Sequence, residues 1–236
     1  MKSLKAACLI IPVILGMSAC IVKADGPIIK NEIATPNFHS IVLSAIGEVH
    51  IVEDSVFYVE VESYENVIPH VKVDVKDGVL KLGRKSGWHF RKLDHLHFIV
   101  HGRQIESLRI SGSGNIDAQM GTMASSFDTH ISGSGNIQVK GQQFTQVESH
   151  TSGSGNTQIE GLTDRSIIHI SGSGNVENFG LISKNTEVKI SGSGRVETTT
   201  VDNLKVRISG SGDVLYKGNP YIDVDNSGSG NVINAN

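Results

Sequence analysis

Aromatic residues are scarce, 5% of the 236-residue chain, which excludes a core crowded with large rings. It also argues against stacking platforms for neutral sugars. Two cysteines are too few for a disulfide-stapled scaffold or a four-thiolate zinc site. Basic charge is not in excess: 21 Lys and Arg stand against 24 Asp and Glu, a net charge of -3, so nucleic acid is not an expected partner. The longest apolar stretch, Ala6 to Leu15, falls short of the roughly 20 residues that span a bilayer. What the chain does have is glycine, 26 residues against 5 prolines, and the glycines are ordered.

Ser-Gly-Ser-Gly begins at Ser111, Ser132, Ser152, Ser171, Ser191, Ser209 and Ser227, at intervals of 21, 20, 19, 20, 18 and 18 residues. Apolar residues alternate on both sides of each copy: Leu108 and Ile110 before the first and Ile116 after it, Ile168 and Ile170 before the fourth and Val176 after it. Period-two alternation about a glycine turn is a strand–turn–strand signal. A period this short, with no helical stretch, fits one coil of a parallel β-helix made of three short strands and three corners. The expected fold is therefore all-β: a parallel, right-handed solenoid of seven coils over residues 109–236. Coils would stack about 4.8 Å apart.

A corner repeated in every coil needs either positive φ or close approach of backbones, and glycine permits both. Gly112, Gly114, Gly133, Gly135, Gly153, Gly155, Gly172 and Gly174 are assigned this structural role. Asparagine follows the motif at Asn115, Asn136, Asn156, Asn175 and Asn231, with Arg195 and Asp213 as exceptions. Stacked amides at one corner are expected to hydrogen-bond from coil to coil. A dinucleotide fingerprint would need a third glycine and a helix, and a calcium β-roll a nine-residue period.

Two residues before the corners stand Arg109, His130, His150, His169, Lys189 and Arg207, with Asp225 closing the series. Alternation sets them on the outer face. In-register stacking would make a cationic stripe whose members disfavour one another's charge, leaving the histidines mostly neutral near pH 7. The expected partner is an anionic polysaccharide or cell-surface glycan; the plain reading is a solvated, charge-blunted face. His95 and His97, spaced i and i+2 on one strand, form a weaker candidate pair for a metal ion, with Asp94 facing the other way. No cofactor is expected. Asp117, Glu160, Glu177, Glu197 and Asp223 are dispersed, with no paired-acid or nucleophile–base pattern, so no catalysis is expected.

Residues 37–108 carry strand patterns with turns at Gly47, Glu53-Asp54, Asn66 and Asp77-Gly78, expected to form an irregular or antiparallel β layer capping the first coil. Residues 20–36 read as a flexible tether. Lys2 and Lys5, the apolar stretch and the small residues Gly16, Ser18 and Ala19 follow the order of a secretory signal over 1–19. Met17-Ser18-Ala19-Cys20 resembles the lipobox of bacterial lipoproteins, and that resemblance implies acylation of Cys20. Ile21 rather than Asp follows, so outer-membrane anchoring is implied, facing either the periplasm or the surface. The lipid would be the only membrane attachment. The alternative is cleavage near Ala19 or Ala24, releasing a soluble exported protein. Without residues 1–19 the chain holds 19 basic and 24 acidic side chains, a net charge of -5.

Phe38-x-x-Ile41, Gly47-x-Val49-x-Ile51, Val59-x-Val61, Asn66, Asp77-Gly78-x-Leu80-x-Leu82 and Leu108-x-Ile110-Ser111-Gly112-Ser113-Gly114 resemble a bacterial family, the putative auto-transporter adhesin, head GIN domain. The similarity runs over residues 37–232, with Gly102-Arg103 where the family often has proline. It implies a β-helical, exported, envelope-associated protein, structural or adhesive, and transfers no functional residue. A carbohydrate-active β-helix enzyme and a periplasmic scaffold without external ligand are the alternatives. An enzyme would shorten a bound glycan; a scaffold would survive protease shaving of intact cells.

Overall fold

The computed structural model describes residues 20–119, 121 and 125–236; the signal reading of 1–19, including Cys8, lies outside the described residues. The chain enters as β1 (Cys20–Lys23) and β2 (Ile28–Ala34), so the segment expected to be a tether is paired strand. Its signal is faint because backbone ladders hold it: along β2 only Ile33 is even half-buried. There follow β3 (Ser40–Leu43), β4 (Glu48–Glu53), β5 (Tyr58–Tyr64), β6 (Val71–Lys76), β7 (Val79–Arg84), β8 (Trp88–Arg91) and β9 (Leu96–Gly102). β2 pairs antiparallel with β5, β5 with β9, and β6 with β7, which is the capping layer expected for this half. β1 pairs with β8 in a separate two-stranded sheet.

β3 and β4 belong to the solenoid instead. They pair in parallel with β10 (Ser107–Ile110) and β11 (Asn115–Gln119) on one side and with β7 and β9 on the other. Ser44-Ala45-Ile46-Gly47 thus stands at the corner where later coils carry Ser-Gly-Ser-Gly, and the stack begins near Ser40, not at residue 109. This corner escaped the repeat count because Ala45 and Ile46 replace the motif's first glycine and second serine. Ala45 is tolerated there because the chain stacked before it, the end of β7 around Leu82 and Gly83, is not another such corner.

Beyond β12 (Ser126–Ile131), each coil is one bent strand of 13 to 15 residues: β13 (Ile137–Thr151), β14 (Thr157–Ile170), β15 (Val176–Ile190) and β16 (Val196–Ile208). The three short strands expected per coil are merged, with bends where the ladder register slips, as between Lys140 and Gln143. β17 (Val214–Lys217), β18 (Tyr221–Asn226) and β19 (Val232–Asn234) finish the stack. The pairing is parallel, and on the strand segment before each corner it stays in register, so Ile110, Ile131, Thr151, Ile170, Ile190 and Ile208 form one inward file. Burying such files removes apolar surface that no single coil could cover alone. Small polar residues interrupt the files at many levels, among them Ser107, Thr129, Ser149, Thr157, Ser183 and Thr200, all buried. The hydrophobic core forms an N-terminal and a C-terminal cluster.

The asparagine ladder forms. Asn115 Oδ1 accepts from the Asn136 backbone N–H (3.1 Å) and Nδ2 (3.0 Å), and Asn156 Oδ1 accepts the same pair from Asn175 at 3.2 and 3.1 Å. Asp213 Oδ1 does likewise for Asn231. Replacing Asn156 by Ala leaves two donors of Asn175 without their acceptor and is expected to cost about 1–2 kcal/mol. Asn156→Asp keeps the acceptor, as Asp213 does, and should cost less. Urea midpoints of the two variants provide the comparison.

Candidate functional site

Parallel register converts the sequence spacing into a straight outer file. Arg109 pairs with His130, His130 with His150, His150 with His169, His169 with Lys189, Lys189 with Arg207 and Arg207 with Asp225. From Arg109 to Arg207 the residues on either side of each, such as Thr129 and Ile131 or Ile168 and Ile170, are buried, which turns these side chains outward. The three imidazoles stack nearly parallel, with centroids 4.6 Å apart for His130 and His150 and 5.0 Å for His150 and His169. Those separations are close to the strand spacing itself. Together with Lys189 and the neighbouring corner serines they line a groove of about 330 Å³.

The electrostatics differ from the expected stripe in two respects. His130 is held below the ordinary histidine value first by burial, and then by the positive charge of His150 and Arg109 beside it. Burial likewise leads for His169, followed by His150; Lys189 adds to the same direction. Like-charge repulsion is thus the smaller cause. Second, an acidic file runs alongside: Asp128 pairs with Glu148, Glu148 with Ile167 and Ile167 with Glu187. His150 Nε2 lies 2.7 Å from Glu148 Oε1. The groove is therefore amphoteric rather than purely cationic. The signal was present in the sequence as Asp128-x-His130, Glu148-x-His150 and Glu187-x-Lys189, since a spacing of two keeps each pair on one face.

The other candidates are placed as follows. His95 and His97 stack on each other at 4.3 Å, but their nitrogens turn to different carboxylates: His95 Nε2 is 2.9 Å from Glu62, and His97 Nδ1 is 3.6 Å from Glu48. Both acids were missed, because they arrive from β5 and β4 rather than from β9. Cys20 is exposed, and its backbone N–H donates to the Gly87 carbonyl at 2.9 Å. Of the acids, Glu177 and Glu197 are register partners in β15 and β16, while Asp117, Glu160 and Asp223 lie on other strands. No helix among the described residues is long and apolar enough to cross a membrane.

The family model described as putative auto-transporter adhesin, head GIN domain, matches residues 37–220. The chain belongs to this family. Solved structures share this fold at low identity. A putative adhesin from Bacteroides fragilis superposes with a TM-score of 0.83 at 20% identity, over 90% of this chain and 99% of that one. One from Parabacteroides merdae gives 0.72 at 23% identity, over 92% of this chain and 100% of that one. A protein described as a putative lipid binding protein, from Parabacteroides distasonis, gives 0.76 at 23% identity, again over 92% and 100%. No curated protein matches significantly. At these identities the likeness carries the fold and leaves the histidine groove of this head GIN chain to be argued on its own geometry.

Proposed function

We propose that this head GIN protein is an exported, lipid-anchored adhesive module that grips an extended anionic polysaccharide along the Arg109–Arg207 file, without catalysis. The observation that carries the reading is the stack of three imidazoles lining a groove with Lys189, flanked by Arg109 and Arg207. A repeating polyanion meets a repeating row of cationic or protonatable groups, one per coil from Arg109 to Arg207. Export and anchoring rest on the signal-like leader, on the lipobox ending in Cys20 and on a family of adhesin-like heads. Because Cys20 itself lies in β1, an acyl chain there would hold the cap directly against the bilayer, with no spacer between them. Metabolic labelling with a radioactive fatty acid should mark the native chain and not Cys20→Ala.

Binding is expected to strengthen on acidification. His130 and His169 protonate only below their ordinary value of 6.5, and a polyanion favours the protonated form, so binding takes up protons. In the free protein the same depression works against folding: between the folded and unfolded values the unfolded chain holds more protons, so stability falls as pH drops below 6.5. Retention on immobilised polygalacturonate should rise between pH 7.5 and 5.5 and fall roughly tenfold in the Lys189→Ala/Arg207→Ala variant. Retention unchanged by that double substitution removes the file from the function, and shortening of the polymer would replace adhesion by hydrolysis or lyase chemistry.

A further inference from the structure

A second polar cluster lies away from the groove, on the outer face where β4 meets β9. Parallel pairing sets Glu48 opposite His97, and alternation along β4 brings His50 to the same face. Glu48 Oε2 is 3.8 Å from His50 Nε2 and 3.6 Å from His97 Nδ1. The three donor atoms all lie within 4.8 Å of one another. Donors bound at about 2.1 Å around a tetrahedral ion sit about 3.4 Å apart, so small side-chain rotations suffice to close the set.

We propose that Glu48, His50 and His97 bind one divalent first-row transition metal ion, with Zn²⁺ the reference ion. Two imidazoles and one carboxylate suit such an ion, whereas Ca²⁺ and Mg²⁺ require oxygen ligands. His95 is not a ligand: its Nε2 is held by Glu62, and its ring packs on His97 and fixes the orientation of that imidazole. Asp117, the register partner of His50 on β11, adds negative charge to the same face. The side chains of Glu48, His50 and His97 are 51%, 49% and 31% exposed, so three protein donors leave a coordination position open to water or to an oxygen of an incoming molecule. The ion would clip β4, the first solenoid rung, to β9, the seam of the cap, and would raise the unfolding midpoint because only the folded chain assembles the donors.

Isothermal titration of the untagged full chain with ZnCl₂ is expected to show one ion per chain at roughly micromolar affinity. His50→Gln and His97→Gln should each weaken binding at least tenfold, while His150→Gln in the groove leaves it unchanged. These ligands are half-exposed, so the metal-free urea midpoints of the variants should match the parent. Electron paramagnetic resonance of the Cu²⁺-loaded parent should show two coordinated nitrogens, a reading that needs no variant. Absence of binding, coupling to fewer than two nitrogens, unaltered affinity in His50→Gln and His97→Gln, or loss of the ion in His150→Gln overturns the assignment.

Discussion

Gly155→Ala is expected to lower stability by about 3 kcal/mol or more. A Cβ built on Gly155 falls 1.8 Å from the Gly135 carbonyl oxygen and 3.0 Å from Ile131 Cγ2. Neither can give way. Gly135 is stacked on Gly114 in the same manner, again at 1.8 Å, and Ile131 is buried in the core. The corner backbones are also hydrogen-bonded rung to rung, as in Ser154 N–H to the Gly133 carbonyl at 3.0 Å. Relieving the clash means prising two coils apart and losing such bonds. The glycines of the Ser-Gly-Ser-Gly corners do not have left-handed φ; positive values occur at Gly47 of the first, divergent corner and at Gly78, Gly161 and a few others outside the motif. Close approach, not turn geometry, is the reason for glycine here. Gly180→Ala is the control. Its Cβ would meet the Glu160 Cγ at 2.7 Å, and that side chain can swing away, so the cost should stay within about 1 kcal/mol. Equal urea midpoints for Gly155→Ala and the parent would reject close packing of the corners.

Phe98→Ala should cost about 3–5 kcal/mol and act on the cap before the coils. Phe98 is fully buried in β9, opposite Val49 of β4 in the parallel direction and Val61 of β5 in the antiparallel direction. It therefore fills the seam where the solenoid ladder turns into the capping layer. The cavity left by the ring cannot collapse easily, because ladder hydrogen bonds fix both neighbouring strands. Trp88, the sole tryptophan, lies in the cap on β8 and stacks on His70 at 3.7 Å, so its fluorescence reports on this end of the molecule. The expected result is an earlier fluorescence transition in urea, with amide protection retained in β14 to β16. Simultaneous loss at both ends would show instead that cap and coils unfold as one unit.

Particular residues show how far the sequence reaches. The file from Arg109 to Arg207 was readable because a parallel stack conserves position within each coil, so equal offset from a Ser-Gly-Ser-Gly corner means adjacency in space. The asparagine ladder follows by the same rule. The metal candidate was only half readable: His95 and His97 are local in sequence, but Glu48 and His50 reach them across a pairing of β4 with β9 that no period announces. The start of the stack at Ser44–Gly47 was hidden for a related reason. Its corner meets no homologous corner on one side, is free to carry Ala45, and so does not look like a member of the repeat.

Alone, the sequence determined the all-β class, the coil period, which side chains face inward, and the outer file with its histidines. Each of these is set by local alternation and by translation along a single axis. Tertiary structure decided the strand identity of residues 20–34, the partners of His95 and His97, and the acidic neighbours that make the groove amphoteric. It also decided where the stack begins. Those features depend on which distant strands share an edge, and backbone hydrogen bonds, being the same for every residue type, leave little trace of that choice in the side chains.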